Sequence, residues 1–267
     1  MRYTPEQHDQ FALAFNRDSV VVLQDHFSRD TLAAWRTAFQ PLLEDQVERE
    51  KTNPNRGAQR FYVSLPFTGV FLDPALYEDP DVLAIVERVA GPAPVMCQLA
   101  CDTPLKGSDY QEWHADTPAL FPESGSNDTP SFQLAVNFPL CDVTDENGPF
   151  ETTYGTHRMN KQDAMAGLAS GAIAQHRLKM RMGDVMIRDV RAVHRGTPNR
   201  SDEPRPMVVI GYSRSWLNRP EVHIRVPQGS WDRLSETGRR LLRNNPVVPD
   251  AEALGGDAPE TYRSFAF

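Results

Sequence analysis

The sequence predicts a mainly β protein with flanking helices, built around a sandwich or closed barrel. From Val95 onward, short β-rich segments alternate with turns, whereas helical periodicity dominates the residues before it. The 267-residue chain shows no internal repeat and no low-complexity linker, and mainly β domains often use this length as one unit. We therefore expect a single domain over 1–267, with helix-rich support at 1–94, a β-core at 95–216, and a C-terminal helix and tail at 217–267.

The N-terminal part is predicted to hold two helices separated by a strand. Thr4 begins TPEQHDQFALAFNRD, in which a cap residue is followed by proline and, three residues after the cap, by glutamine. The next segment, SVVVLQDHF, is β-branched and predicts a buried strand. Ser28 is expected to cap a second helix with apolar residues at helical spacing, which Pro41 should bend or interrupt. The stretch KTNPNRGAQRFY is expected to form a loop.

The remaining elements follow from periodicity and stop signals. DPDVLAIVERVAGPAP predicts a helix that ends at Gly-Pro. NKQDAMAGLASG is expected to be a helical or loop insertion, and SWDRLSETGRRLLRNNP a C-terminal helix. The predicted core strands are Val95–Ala100, Ser131–Leu140, Gly183–Ile187 and Met207–Tyr212.

Composition limits the possible partners. The net charge of −8 argues against a general nucleic-acid binder, which needs a basic surface. No apolar run approaches the ~18 residues of a membrane span. The three cysteines form no CxxC pair, and the N-terminal MRYTPEQHDQ is polar, so we expect a cytoplasmic protein without a disulfide framework or a cysteine zinc site.

The segment QEWHADTPALF holds a candidate pair of metal ligands, His114 and Asp116. Residues i and i+2 of a strand point to one face, with Cβ atoms roughly 7 Å apart, so both side chains could reach one ion. A lone His-x-Asp is weak evidence, because a satisfied structural pair is the more common interpretation.

His194 and Arg205 extend this pair to a possible site. Two histidines and one carboxylate form the facial triad of non-haem iron(II) oxygenases, and His194 lies at the rim of the predicted core. Arg205 follows eleven residues later, at the start of the next predicted strand. Its planar donor fork suits the distal carboxylate of 2-oxoglutarate. Taken alone, Arg205 would be interpreted as a surface ion pair with Asp202 or Glu203.

Three motifs together resemble one known family. WHADTP, DENGPFETTYGTHR and GDVMIRDVRAVHRGTPNRSDEPR look like the phytanoyl-CoA dioxygenase (PhyH) family of Fe(II)/2-oxoglutarate-dependent oxygenases, from about Ser19 to Trp216. The resemblance implies a double-stranded β-helix core of the jelly-roll, cupin-like type. It also implies that the metal ligands are His114, Asp116 and His194, and that Arg205 binds 2-oxoglutarate.

The resemblance suggests further roles. Gln98 matches a glutamine that faces the iron site, and Thr197 could supply the hydroxyl that a nearby serine often gives to the cosubstrate. Asn147, Gly148 and His157 are interpreted as structural. Other histidines, interpreted as surface or packing residues, are His8, His26, His176 and His223.

The implied activity is oxidation of an unactivated C–H bond with Fe(II), 2-oxoglutarate and O₂, which releases succinate and CO₂. Asp116 favours hydroxylation over halogenation, because related halogenases replace this carboxylate with a small residue; desaturation and ring formation stay open. Two alternatives also stay open: a cupin-type metal enzyme that does not use 2-oxoglutarate, and a non-catalytic binding protein on the same barrel.

Substrate and assembly are less specified. No Lys/Arg cluster marks a coenzyme A pocket, so we expect a small metabolite, of the natural-product kind, as substrate. The Pro-, Ser- and Gly-rich segment TPALFPESGSNDTPSF (117–132, the lid segment) predicts a mobile lid over that substrate. The oligomeric state stays open.

Overall fold

A computed structural model describes residues 1–217 and 223–253. Residues 218–222 and 254–267, which belong to the predicted C-terminal helix and tail, lie outside the described part. The strands are, in chain order, β1 (Val20–Leu23), β2 (Arg60–Ser64), β3 (Val95–Pro104), β4 (Gln133–Pro139), β5 (Phe150–Thr153), β6 (Gln175–Leu178), β7 (Val185–Asp189), β8 (His194–Gly196), β9 (Met207–Ser213), β10 (Val226–Pro227) and β11 (Val247–Val248).

Two antiparallel sheets form the centre of the molecule. The larger has six strands in the order β1-β7-β4-β9-β3-β2, and the smaller has the order β6-β5-β8. β10 and β11 form a separate parallel pair. β1 and β2 come from the first 94 residues, so the large sheet draws strands from both sides of residue 94.

Alternation along the strands of the large sheet separates the apolar core from a central cavity. In β9, Val208 and Ile210 belong to the main apolar core, whereas Met207 and Val209 line the cavity between the sheets. Helices cover the core side, where Phe15, Trp35 and other side chains pack on it.

The helices are α1 (Pro5–Asp18), α2 (Arg29–Glu50), α3 (Pro74–Tyr77), α4 (Pro80–Ala90), α5 (Lys161–Ser170), α6 (Gln228–Trp231), α7 (Glu236–Leu242) and α8 (Asp250–Ala253). The Thr4 capping box of α1 and the Ser28 cap of α2 are present as predicted. Among these helices, none combines the length and the apolarity that a membrane span requires.

Two local predictions were wrong, and Pro41 does not interrupt its helix. α2 continues through Pro41, because Phe39 and Leu43 on either side are both buried in the core. β2 begins inside the predicted loop, since pairing with β3 extends the backbone there. The predicted C-terminal helix is divided into α6 and α7, because Ser235 caps a new helix by accepting a hydrogen bond from the Gly238 amide at 2.9 Å.

His8 and His26 have specific partners that the sequence did not indicate. His8 Nε2 lies 2.7 Å from Asp81 Oδ1, and His26 Nε2 lies 2.9 Å from Asp79 Oδ1. Ligand atoms of His26, Asp79 and Asp81 are close enough for one ion. However, both carboxylates already accept hydrogen bonds from backbone amides, including that of Arg2. These contacts tie the N-terminus to the start of α4.

Candidate metal centre

A short antiparallel bridge brings the two metal-ligand motifs together. The amide of His114 donates to the His194 carbonyl at 3.0 Å, and the amide of His194 donates to the His114 carbonyl at 2.9 Å. The Asp116 amide donates to the Val190 carbonyl at 2.8 Å, which keeps the chain extended. His194 is therefore the first residue of the short strand β8.

The three side chains converge on one point. Asp116 Oδ1 lies 3.8 Å from His114 Nε2 and 3.5 Å from His194 Nε2. One ligand atom from each residue lies within 4.8 Å of the others. Two imidazole nitrogens and one carboxylate oxygen at this spacing match the donor set of the iron(II) facial triad.

Backbone carbonyls fix the orientation of both imidazoles. His114 Nδ1–H donates to the Glu112 carbonyl at 2.7 Å, and His194 Nδ1–H donates to the Ala192 carbonyl at 2.9 Å. The free Nε2 lone pairs thus face the centre, as metal-binding histidines require. Burial, assisted by the neighbouring His194, lowers the pKa of His114 to about 4, so this imidazole is neutral near pH 7.

The carboxylate of Asp116 is held ionised by its neighbours. Burial alone would raise its pKa, but the charge of Arg188 holds that pKa well below its usual range. Arg188 Nη1 donates to Asp116 Oδ2 at 2.8 Å. The other oxygen, Oδ1, is the one that faces the two histidines.

Arg205 lines the same cavity and is only 3% exposed. Its Nε is buried without a hydrogen-bond partner in the part of the chain that the structure describes. Among the described residues its acidic neighbour is Asp102, 3.9 Å from Nη2, and that carboxylate is also bound by Arg60 at 3.0 Å. Burial lowers the pKa of Arg205. A buried guanidinium with an unused donor fits a carboxylate ligand.

The alternative interpretation of Arg205 as a surface ion pair does not hold. Asp202 pairs with Lys106, and Glu203 pairs with Arg36. Arg205 itself points inward.

Comparison with known proteins agrees with this geometry. Residues 15–207 match the family model described as "Phytanoyl-CoA dioxygenase (PhyH)". The chain belongs to the phytanoyl-CoA dioxygenase family. It is an Fe(II)/2-oxoglutarate-dependent dioxygenase, and the cofactors of the family are Fe(II), 2-oxoglutarate and O₂.

Solved structures share the fold at low identity. The non-heme alpha ketoglutarate dependent epimerase SnoN from nogalamycin biosynthesis, in complex with Fe³⁺, alpha ketoglutarate and nogalamycin RO, is 18% identical with a TM-score of 0.62. That comparison covers 96% of this chain and 98% of SnoN. The carbocyclase SnoK from the same biosynthesis is 20% identical, with a TM-score of 0.60 and coverages of 96% and 97%.

EctD from S. alaskensis, solved with 2-oxoglutarate and 5-hydroxyectoine, is 20% identical with a TM-score of 0.60 and coverages of 80% and 78%. Such identities show the fold. The predicted mainly β class with a jelly-roll, cupin-like core is confirmed.

The other two predicted site residues differ in position. Gln98, on β3, lines the cavity, and its amide donates to the Tyr62 hydroxyl. Thr197 does not line the cavity; its hydroxyl donates to the Pro149 carbonyl at 2.7 Å. This geometry does not support the predicted contact of Thr197 with the cosubstrate, because the Thr197 hydroxyl already donates its proton to the Pro149 carbonyl, directly before β5.

The motif before β5 has the structural character expected from the sequence. Gly148 adopts φ +93°, and a Cβ there would lie 2.8 Å from the Thr197 carbonyl oxygen. Asn147 accepts a hydrogen bond from the Thr144 amide and donates to the Asp142 carbonyl, both at 2.8 Å. His157 is buried and lies outside the metal-ligand group.

Sequence reasoning missed several polar residues in the cavity, among them Arg188 and Asn137. Arg188 lies six residues before His194, in the strand β7, and Asn137 lies on the adjacent strand β4. A charged residue directly after the apolar run Val185–Ile187 was the signal that could have revealed Arg188.

The lid segment does not border the metal cavity. Parts of it line a neighbouring cavity together with the start of α5, and Ala115 and Val193 form the floor there. Their neighbours His114 and His194 face the metal site, so the two cavities lie on opposite faces of the same bridged strands. Arg191 holds the end of the lid segment by donating to the Asn127 and Thr129 carbonyls, each at 3.1 Å.

Proposed function

We propose that this protein hydroxylates, or otherwise oxidises, an unactivated C–H bond of a small-molecule metabolite, with release of succinate and CO₂. In this proposal His114, Asp116 and His194 hold iron(II), and Arg205 holds the distal carboxylate of 2-oxoglutarate. One observation carries the proposal. Three ligand atoms within 4.8 Å of one another share a cavity with the buried guanidinium of Arg205, whose Nε has no hydrogen-bond partner among the described residues.

Iron(II), 2-oxoglutarate and O₂, when bound, supply the oxidant. The protein contributes position and environment. The Glu112 and Ala192 carbonyls keep both imidazoles oriented, and Arg188 keeps Asp116 ionised. Arg205, two residues before β9, sets where the cosubstrate carboxylate lies. The sheets on either side keep most of these groups buried, which strengthens their electrostatic interactions.

The presence of Asp116 supports hydroxylation rather than halogenation, since the carboxylate occupies the position that a halide would need. The epimerase and carbocyclase of similar fold carry out other reactions, so the fold alone does not select the outcome. The test for this chain is therefore the product, identified by mass.

The substrate is proposed to be a small metabolite of natural-product biosynthesis. The cavity combines apolar walls with amide side chains, a lining suited to a compact molecule with a few polar groups. The apolar side chains include Phe150, Met186, Val190, Met207 and Val209, and the amides are Gln98, Gln111, Gln133 and Asn137. Cys97, Cys101 and Cys141 form no disulfide in the described structure, which supports a reducing compartment, the cytoplasm.

The first test is anaerobic addition of Fe(II) and then 2-oxoglutarate, followed by visible absorption. A weak charge-transfer band is expected when the keto acid chelates iron held by the triad. His114→Ala should lose the band. Arg205→Ala should need at least about thirtyfold more 2-oxoglutarate, because loss of one partner of a buried charged pair costs about 2–5 kcal/mol.

His176→Ala is the matched control, because His176 stacks on Tyr154 and lies outside the metal-ligand group. This variant should retain the band. Iron binding without a band would favour the cupin-type alternative, and the absence of metal binding would favour a binding protein. Once the band is established, candidate substrates are screened by succinate release.

A further inference from the structure

We propose that Arg188 is a positioning residue that keeps Asp116 a one-oxygen metal ligand and so preserves a coordination position. The inference rests on the proposed metal role of His114, Asp116 and His194. It concerns what the guanidinium does to the carboxylate.

The two oxygens of Asp116 have different environments. Oδ1 lies within 4 Å of both histidine Nε2 atoms. Oδ2 accepts a hydrogen bond from Arg188 Nη1 at 2.8 Å, a length typical of strong charge-assisted bonds. One oxygen is thus directed at the metal position, and the other is already bound.

Arg188 is itself held firmly. Its Nε donates to Asn137 Oδ1 at 3.1 Å, and Asn137 Nδ2 donates to the Val208 carbonyl at 3.2 Å. The guanidinium carbon lies 5.3 Å from the centre of the Phe150 ring. Arg188, Asn137 and Val208 are on the adjacent strands β7, β4 and β9, so the donor cannot easily follow a moving carboxylate.

This restraint has a chemical consequence. Three one-atom protein ligands leave about three of six octahedral positions open, which suffice for a bidentate 2-oxoglutarate and O₂. A carboxylate that bound through both oxygens would occupy one of them. To bind in that way, Oδ2 would have to give up its hydrogen bond to Arg188. The guanidinium therefore opposes chelation by Asp116.

A different role for Arg188 would be only to neutralise Asp116 when no metal is bound. The two roles predict opposite results. If Arg188 only neutralises charge, its removal should tighten binding of a dication and leave coordination unchanged. If Arg188 positions the carboxylate, its removal should change the number of water molecules on the metal.

The experiment uses Mn(II) as the probe and measures water proton relaxation, which reports exchangeable water on the ion. Wild type should carry about three waters on Mn(II), and Arg188→Met about two, so the inner-sphere relaxation falls by about one third. With 2-oxoglutarate added, wild type should retain about one water and Arg188→Met about none. Arg188→Lys, which keeps a charged donor, should stay close to wild type.

Arg195→Met is the matched control. Arg195 donates to Glu151 at 2.7 Å and follows His194 directly, but it stacks on Tyr110 and Trp113 away from the metal cavity. It should leave the hydration of Mn(II) unchanged. Asn137→Leu removes the hydrogen bond that holds Arg188 and does not change Asp116, so it should also lower the number of waters on Mn(II). This second variant keeps the proposal testable if Arg188→Met does not fold.

The outcomes separate the two proposals. Unchanged hydration in both folded Arg188→Met and Asn137→Leu would overturn the role of Arg188. Equal Mn(II) binding by wild type and His114→Ala would instead overturn the metal site itself. Weaker hydration in Arg188→Met and Asn137→Leu, restored in Arg188→Lys, is the expected result.

Discussion

Arg188 and Arg191, three residues apart, each pair with an aspartate, Arg188 with Asp116 and Arg191 with Asp189. The two pairs differ in how many carboxylate oxygens the arginine binds. Arg188 faces the cavity and binds one oxygen of Asp116. Arg191, three residues on, binds both oxygens of Asp189, at 2.9 and 2.7 Å. The first pair leaves a carboxylate oxygen for another partner, whereas the second leaves none.

Strand alternation separates the pairs. Arg188 and Val190 line the metal cavity, whereas Asp189 is completely buried behind it and accepts a further hydrogen bond from Ser131. Arg191 also donates to the lid segment at Thr129. A fully satisfied buried pair stabilises the fold. A pair with one unused acceptor, opposite two imidazoles, is arranged for a ligand. The same residue types thus have different roles on the two faces.

Replacement of Asp116 should give the largest functional effect. Asp116→Ala removes one of the three proposed ligands, and we expect metal affinity to fall more than about a hundredfold, since even outer partners of ligands contribute about 10–100-fold. Succinate formation should fall with it. Isothermal titration with Mn(II) measures the change. Comparable affinity in Asp116→Ala and wild type would show that the carboxylate is not a ligand.

Replacement of Asp189 should instead act on stability. Asp189→Asn leaves Arg191 buried beside a neutral partner, and breaking such a pair costs about 3–5 kcal/mol. For a chain of this size, the melting temperature should fall by roughly 10 °C. Metal stoichiometry per folded molecule should not change.

Asp116→Asn is the matched comparison for Asp189→Asn. It should weaken metal binding with a smaller loss of stability, because Asp116 is partly exposed on its metal side. If Asp189→Asn melts like wild type, or if it loses metal in the folded state, the division of roles between the two pairs is wrong.

Motifs that are local in sequence predicted which side chains the fold brings together at the proposed metal site. The His-x-Asp spacing made His114 and Asp116 candidates, and the resemblance of the two motifs to one family added His194 and Arg205. The expectation for Thr197 rested on sequence proximity to His194, and proximity does not specify which way a hydroxyl points. Arg188 was missed because its partner Asp116 lies 72 residues away, and only the folded sheets bring the two together.

The same distinction applies to the fold. Caps at Thr4 and Ser28 depend on nearby residues and were predicted correctly. The strand that begins at Arg60 depends on pairing with β3, some forty residues later, and was therefore missed. Long-range pairing can override local loop signals in this way.

Acid should abolish the advantage of Asp189 over asparagine. Burial raises the pKa of Asp189, but Arg191 and Ser131 outweigh it and the pKa lies below its ordinary value of 3.8. A depressed acid pKa gives stability that is present above the unfolded-state pKa and is lost as the pH falls through the folded-state pKa. The stability difference between wild type and Asp189→Asn should be constant from about pH 7 to 5 and shrink below about pH 4.

Urea unfolding at several pH values measures this difference. Burial lowers the pKa of His157, whose protonation in acid also destabilises the fold. Because both proteins contain His157, that effect should largely cancel in the comparison. A difference that already declines between about pH 7 and 5 would contradict the assignment of the stabilisation to the ionised Asp189.

The lid segment should show the smallest and most local response. Arg191 fixes its end at Asn127 and Thr129, whereas residues 119–126 have no comparable charged clamp among the described contacts. Hydrogen exchange at 119–126 should therefore slow when Mn(II) and 2-oxoglutarate bind, because the segment directly follows His114 and Asp116. Amides near Thr129 should not respond, and α4 provides an internal reference. Equal protection of 119–126 with and without these ligands would rule out a lid. A response that spread through Thr129 would show that the Arg191–Asp189 pair does not isolate the contacts of Arg191 with Asn127 and Thr129 from the metal site.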